Sequence, residues 1–93
     1  MTDETVLDAI MRALADPTRR RLYGFLRTSA GLTTGQLAQR VPGMTRWGVM
    51  KHISVLREAG LLQTLPEGRR RRHYVERGAL RPVQRWLEQH EDG

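Results

Sequence analysis

Pro42-Gly43 falls between two short amphipathic stretches that each carry their own helix-start signal, and this spacing restricts the fold more than any other feature of the chain. Before the break, Thr33-Thr34-Gly35-Gln36 has the form of a capping box, with Thr33 as the cap and Gln36 reaching back to it. The helix it opens is short, roughly Thr34 to Arg40, with Leu37, Ala38 and Val41 as its inward residues. After the break, Thr45 is placed to cap a longer helix that stops at Gly60. Val49, Ile53 and Leu56 share one face of that helix, while Arg46, Trp47, Met50, Lys51, Ser54 and Arg57 share the other.

The flanking elements follow from the same rules. Leu7, Ile10, Met11 and Leu14 recur at helical spacing and predict a first helix over about residues 4–15, with Asp3 and Glu4 suited to its first turn. Asp16-Pro17 reads as a cap followed by proline at the first helical position, predicting a second helix to about Thr28 with Leu22, Phe25 and Leu26 inward. Leu61 to Leu65 and Arg70 to Val75 read as strands joined by a turn at Pro66-Glu67-Gly68, giving a hairpin with an arginine-rich tip. A last helix begins near Leu80 or Pro82, with Leu80, Val83, Trp86 and Leu87 on its apolar side.

Charge divides the chain along these lines. The net charge is +6, and no acidic residue occurs between Asp16 and Glu58, a window holding Arg19, Arg20, Arg21, Arg27, Arg40, Arg46, Lys51 and Arg57. Arg69-Arg70-Arg71-Arg72 adds a second basic run, while acids gather at the ends as Asp3, Glu4, Asp8 and Asp16, then Glu88, Glu91 and Asp92. The middle of the chain is therefore expected to face a polyanion. Arginine also suits phosphate and guanine better than lysine does. With 93 residues, one domain over 1–93 is expected. The absence of cysteine excludes disulfides and thiolate metal sites. The polar, acidic start lacks the pattern of a signal peptide and no long apolar run occurs, so a cytoplasmic location is expected and a membrane role is not.

A short helix, a tight break and a second helix with an acid-free basic face form a helix-turn-helix unit, and the basic hairpin after it forms a wing. The expected fold class is mainly α with a small β-hairpin, a winged helix-turn-helix of about five helices and a two-stranded wing. The chain resembles the ArsR-type repressors in three motifs: Leu14 to Arg20, Val49 to Leu61, and Glu67-Gly68-Arg69 followed by His73-Tyr74. The resemblance runs from about Leu7 to Leu87 and implies a homodimer built from the first and last helices that represses by binding operator DNA. Many members sense metals through a Cys-rich third helix or through paired Asp/His ligands on the last helix. Gly35 to Gln39 offers no such ligand, and His90 stands with Glu88, Glu91 and Asp92 without a second histidine. Met44 to His52 looks closer to a metal-free branch whose members often accompany START-like, Hsp90-ATPase-activator-like proteins.

The residues expected at double-stranded DNA are Thr45, Arg46, Trp47, Met50, Lys51 and Ser54 on the second helix of the unit, with Arg69, Arg70, Arg71, Arg72 and His73 on the wing. Trp47 would stack on sugars or touch a thymine methyl, or else pack on the second helix. His52 reads as a packed or hydrogen-bonded residue. Some of Arg19, Arg20 and Arg21 are expected at phosphates or at acids of the first helix. The dimer interface is expected at Leu7, Ile10, Met11, Leu14, Val83, Trp86 and Leu87. No catalytic motif is present, neither Gly-x-Ser-x-Gly nor His-Glu-x-x-His nor a phosphate-binding loop, so no enzyme activity, cofactor or metal is expected. The alternatives are a winged-helix module for RNA or protein partners without operator specificity, and a metal-responsive repressor with an unrecognised His/carboxylate site.

Overall fold

The first two helices meet at a junction built almost entirely from local hydrogen bonds. In the computed structural model, which describes residues 2–91, α1 spans Asp3–Ala13 and α2 spans Pro17–Thr28. Asp92 and the side chain of Asp3, counted above among the terminal acids, lie outside the described residues. The Asp16 carboxylate accepts from the backbone N–H groups of Thr18 at 2.8 Å and Arg19 at 3.1 Å, and Pro17 stands where no N–H is needed. Arg19 donates to the carbonyls of Ala13 and Arg12, and Arg20 to those of Leu14 and Ala15. These two arginines therefore satisfy the open carbonyl end of α1, where cations are also favoured by the helix dipole. Their observed partners are backbone carbonyls of α1 rather than its acids.

The chain then enters a strand that the sequence did not announce. β1 (Leu32–Thr33) is followed at once by α3 (Thr34–Gln39), which opens on the expected capping box: Gln36 N donates to Thr33 Oγ1 at 3.2 Å and Thr33 N to Gln36 Oε1 at 2.8 Å. After the Pro42-Gly43 break, α4 (Arg46–Glu58) starts from a Thr45 cap whose hydroxyl accepts from Gly48 N at 3.0 Å. β2 (Leu62–Glu67) and β3 (Arg70–Val75) form the wing, and α5 (Arg81–His90) closes the described chain. The three strands form one antiparallel sheet in the order β1-β3-β2, with His73 of β3 opposite Leu32 on one side and Thr64 on the other. The expected winged helix-turn-helix is the fold observed, with a third strand added to its wing.

Two glycines fix the path of the sheet. Gly31 has φ +83°, and a Cβ there would lie 3.2 Å from the Tyr74 ring, so both backbone shape and space call for glycine. Gly68 has φ +61° and, with Arg69, makes the two-residue turn between Glu67 and its partner Arg70. The turn is thus one step later than expected. Pro66 lies inside β2 opposite Arg71, which is tolerated because β2 is an edge strand.

The core is a single cluster gathered from every helix but α5. Ile10, Leu22, Leu26, Leu37, Val49, Leu56 and Leu61 are fully buried, each contributing about 1.5–3 kcal/mol by leaving water. Ile10 belongs here and not at a dimer interface: it is 1 % exposed within one protomer, so no surface of it is left for a partner. Leu14 and Val83 pack against the same cluster and are half-buried. Among the described residues no helix is long and apolar enough to cross a membrane.

Asp16 is held below the usual carboxylate value, chiefly by the hydrogen bond from Arg19 N–H. Its charged form stabilises the fold, and that stabilisation is lost only as pH falls below the ordinary Asp range and through the lowered value. Asp16→Ala is expected to cost about 1 kcal/mol at neutral pH in urea unfolding, with the difference from wild type shrinking in strong acid.

Candidate nucleic-acid interface

The exposed face of α4 is set by its buried one. Val49, Ile53 and Leu56 point into the core, which turns Arg46, Trp47, Met50, Lys51, Ser54 and Arg57 outward, and all six are exposed. The Arg46 guanidinium lies over Gly35 at the start of α3, 3.6 Å from where a Cβ would stand. The Lys51 ammonium sits 4.4 Å from the centre of the Trp47 ring, one helical turn away. Ser54 continues the row of Trp47 and Met50 a turn further along, and Thr45, just before the helix, has its oxygen engaged in capping.

The wing brings its arginines to the same place. A groove of about 650 Å³ runs between the start of α3, the first turns of α4 and the hairpin, bordered by Arg46, Met50, Arg69, Arg70 and Arg71. No acid borders it. Gln36 and Gln39 of α3 also line it. Gln36 was picked out from the sequence only as a cap and Gln39 not at all, although both lie off the Leu37 face of a short helix, where polar residues are turned outward. Around the groove, a concave strip of positive charge and amide groups meets the two elements that can reach into a duplex.

The four wing arginines do not share one role. Arg69, Arg70 and Arg71 are exposed. Arg72 instead forms an ion pair with Glu67 and donates to Gly31 O at 2.8 Å, pinning β3 to the loop before β1. The hydrogen bond from Arg72 holds the Glu67 carboxyl below its ordinary value. A guanidinium so engaged is a clamp within the sheet, which corrects its assignment as a DNA contact.

His73 is also corrected. It is 2 % exposed, with Nε2 2.8 Å from Thr34 Oγ1 and Nδ1 2.8 Å from Thr64 Oγ1. A side chain enclosed in this way cannot touch a phosphate. The run of arginines before it reads as one charged stretch, but two-residue alternation turns His73 inward between α3 and β2. Burial, reinforced by the positive charges of Arg57 and Arg71, lowers its pKa to about 4, so it is neutral at physiological pH. Neutral imidazole has one donor and one acceptor nitrogen, and the two threonine hydroxyls can serve either tautomer. His52 is half-buried, with Nδ1 3.4 Å from Arg19 Nη1, a hydrogen-bonded residue as expected.

A different surface is formed by α1 and α5. Met11, Trp86 and Leu87 are exposed, and Leu7 is half-buried in a groove of about 590 Å³ between the two helices. Trp86 stacks on His90 at 4.5 Å between ring centres, and His90 Nδ1 lies 2.8 Å from the Trp86 carbonyl. Among the described residues, no three His, Cys, Asp or Glu side chains come together as metal ligands.

Comparison with known proteins places this arrangement among regulators. A family model described as a helix-turn-helix domain matches residues 14–64. The HTH-type transcriptional regulator CmtR of Mycobacterium tuberculosis is 43 % identical over 70 residues, 75 % of this chain and 58 % of CmtR, so the chain spans less than two thirds of that relative. A crystal structure of an ArsR family transcriptional regulator is similar with a TM-score of 0.85 at 34 % identity, covering 95 % of this chain and 89 % of that one. The NMR structure of the cadmium metal-sensor CmtR of M. tuberculosis is similar with a TM-score of 0.62 at 38 % identity, covering 90 % of this chain and 81 % of that one.

The buried histidine gives the fold a pH signature. Its pKa falls from 6.5 to about 4 on folding. As pH drops below 6.5 the unfolded chain takes up a proton that the folded chain refuses. The stabilisation present above pH 6.5 is therefore lost progressively down to about pH 4, by up to roughly 3 kcal/mol. His73→Gln, which keeps two hydrogen-bonding atoms, is expected to remove this slope. Urea unfolding of both proteins across that range reads the difference.

Proposed function

The chain belongs to the ArsR family of helix-turn-helix transcriptional regulators, and we propose that it works as a homodimeric repressor of double-stranded DNA bearing an imperfect palindrome. The observation that carries this reading is the acid-free groove shared by α4 and the wing, where Arg46, Met50 and Arg69 to Arg71 converge. In each protomer α4 enters a major groove, with half-sites about one helical turn apart. Arg46, Trp47, Met50 and Lys51 approach base edges, while Thr45 and Ser54 settle the helix on the backbone. Arg69, Arg70 and Arg71 supply phosphate contacts and hence salt-sensitive affinity.

Dimerisation is proposed through α1 and α5. Met11, Trp86 and Leu87 leave an apolar surface that one protomer does not cover, and Leu7, Leu14 and Val83 border it. Covering such a surface is worth more to a small domain than to a large one, because its own core is limited. The whole described chain then acts as one DNA-binding unit with a dimer face at its terminal helices.

One relative is described as a cadmium sensor, and here the sequence offers no thiolate for such a metal. The sequence has no cysteine, and the described residues hold no cluster of ligands. We therefore propose no metal-dependent step. The likeness of Met44 to His52 to the metal-free branch of the family further supports a gene setting beside a START-like protein.

Fluorescence anisotropy at physiological salt tests the reading, with DNA from upstream of the protein's own gene and a shuffled duplex as probes. A preference of about a thousandfold is expected, and equal, salt-sensitive binding to both would contradict an operator at that promoter. Replacing Arg70 and Arg71 together with Ala should weaken both duplexes alike and flatten the salt dependence by about one unit for each phosphate no longer neutralised. Arg46→Ala should instead narrow the gap between the two duplexes. In sedimentation, Leu87→Glu should shift the protein towards monomer while its circular dichroism stays that of the folded chain, because Leu87 is exposed in the protomer, and its unfolding temperature should fall by what pairing adds to wild type.

A further inference from the structure

Trp47 and Met50 are apolar side chains held in the open where the DNA-binding reading needs base recognition. Trp47 is 69 % exposed and Met50 46 % exposed. The spacing of three residues makes them neighbours on one helix face. The other exposed apolar side chains on α1 and α5 belong to the proposed dimer face, which these two do not join. Lys51 lies against one side of the indole, its ammonium 4.4 Å from the ring centre, a contact that favours this ring position. Met50, on the other side, borders the groove that also holds Arg46 and the wing arginines. Its flexible thioether can adapt to a neighbouring apolar group.

The composition of α4 narrows what this pair can recognise. Adenine is read in the major groove by the paired donor and acceptor of Asn or Gln, and α4 contains neither residue. Guanine presents two acceptors that match Arg46 and Lys51. The one apolar group that the major groove offers is the C5-methyl of thymine. The first two turns of α4, with the cations Arg46 and Lys51, the exposed apolar Trp47 and Met50 and no carboxamide, can thus distinguish an A·T pair best by that methyl.

We infer that Trp47 and Met50 are specificity-determining residues that read thymine C5-methyl groups, so that the operator places A·T pairs beneath the first turns of α4. The inference rests on the DNA-binding reading above. It assigns guanine contacts to Arg46 and Lys51, and gives Lys51 the second task of holding the Trp47 ring.

The test uses uracil, which pairs like thymine and lacks only the methyl. A random duplex pool is enriched by rounds of binding to the full chain, and the winning sequence is made again with deoxyuridine at every thymine. Wild type is expected to bind the uracil version more weakly, by about fourfold for each methyl contacted. The double variant Trp47→Ala/Met50→Ala is expected to bind both versions with equal affinity, and thermal unfolding checks that it is folded. Equal binding of the two versions by wild type, or an enriched site without A·T pairs, would overturn the inference while leaving DNA binding intact. Failure to enrich any sequence would overturn sequence-specific recognition itself, and the inference with it.

Discussion

The imidazole of His73 ties the parts of this molecule that must keep their relative positions. It lies on the central strand of the sheet and reaches Thr34 at the start of α3 and Thr64 on β2, both at 2.8 Å. A buried polar ring is costly unless its nitrogens are satisfied, so these contacts hold the wing and the helix-turn-helix unit in a single arrangement. α3 sets the position of α4 through the shared core residues Leu37, Val49 and Ile53. The distance between the outward face of α4 and the arginines at the hairpin tip is therefore set within the protomer, which on the proposed reading leaves less ordering for DNA binding to supply.

A second constraint is the division of labour among arginines. Their side chains look interchangeable in the sequence, yet their surroundings separate them. Arg19 and Arg20 close the end of α1, Arg21 and Arg40 lie over the Phe25 ring, and Arg72 is paired with Glu67 and Gly31. Arg46, Arg57, Arg69, Arg70 and Arg71 remain exposed on α4 and the wing. The positive surface is thus smaller and better placed than the count of basic residues implies, with its strongest concentration around one groove.

Much of this was legible in the sequence because its causes are local. The Asp16 cap, the Thr33–Gln36 box and the Thr45 cap each depend on residues within one turn, and each formed as expected. The basic face of α4 followed from the spacing of Val49, Ile53 and Leu56, which burial confirms. What the sequence hid depends on distant partners. β1 has two residues, too few for a period, and exists because it pairs with β3 some forty residues later. His73 and Arg72 sit at the end of a run of arginines, and only the neighbouring strand and helix decide that one is buried and the other clamped. Ile10 shares a stripe with Met11, and a helical stripe alone does not say which of its members the chain's own core will take up.

The central claim is that α4 and the wing meet DNA while α1 and α5 meet a second protomer. Backbone amide spectra recorded as a duplex is added test it residue by residue. The account requires the largest changes at residues 45–54 and at the hairpin residues 68–71, with α1 and the last turns of α5 left nearly unmoved. Changes concentrated on α1 and α5, with α4 unaffected, would contradict it.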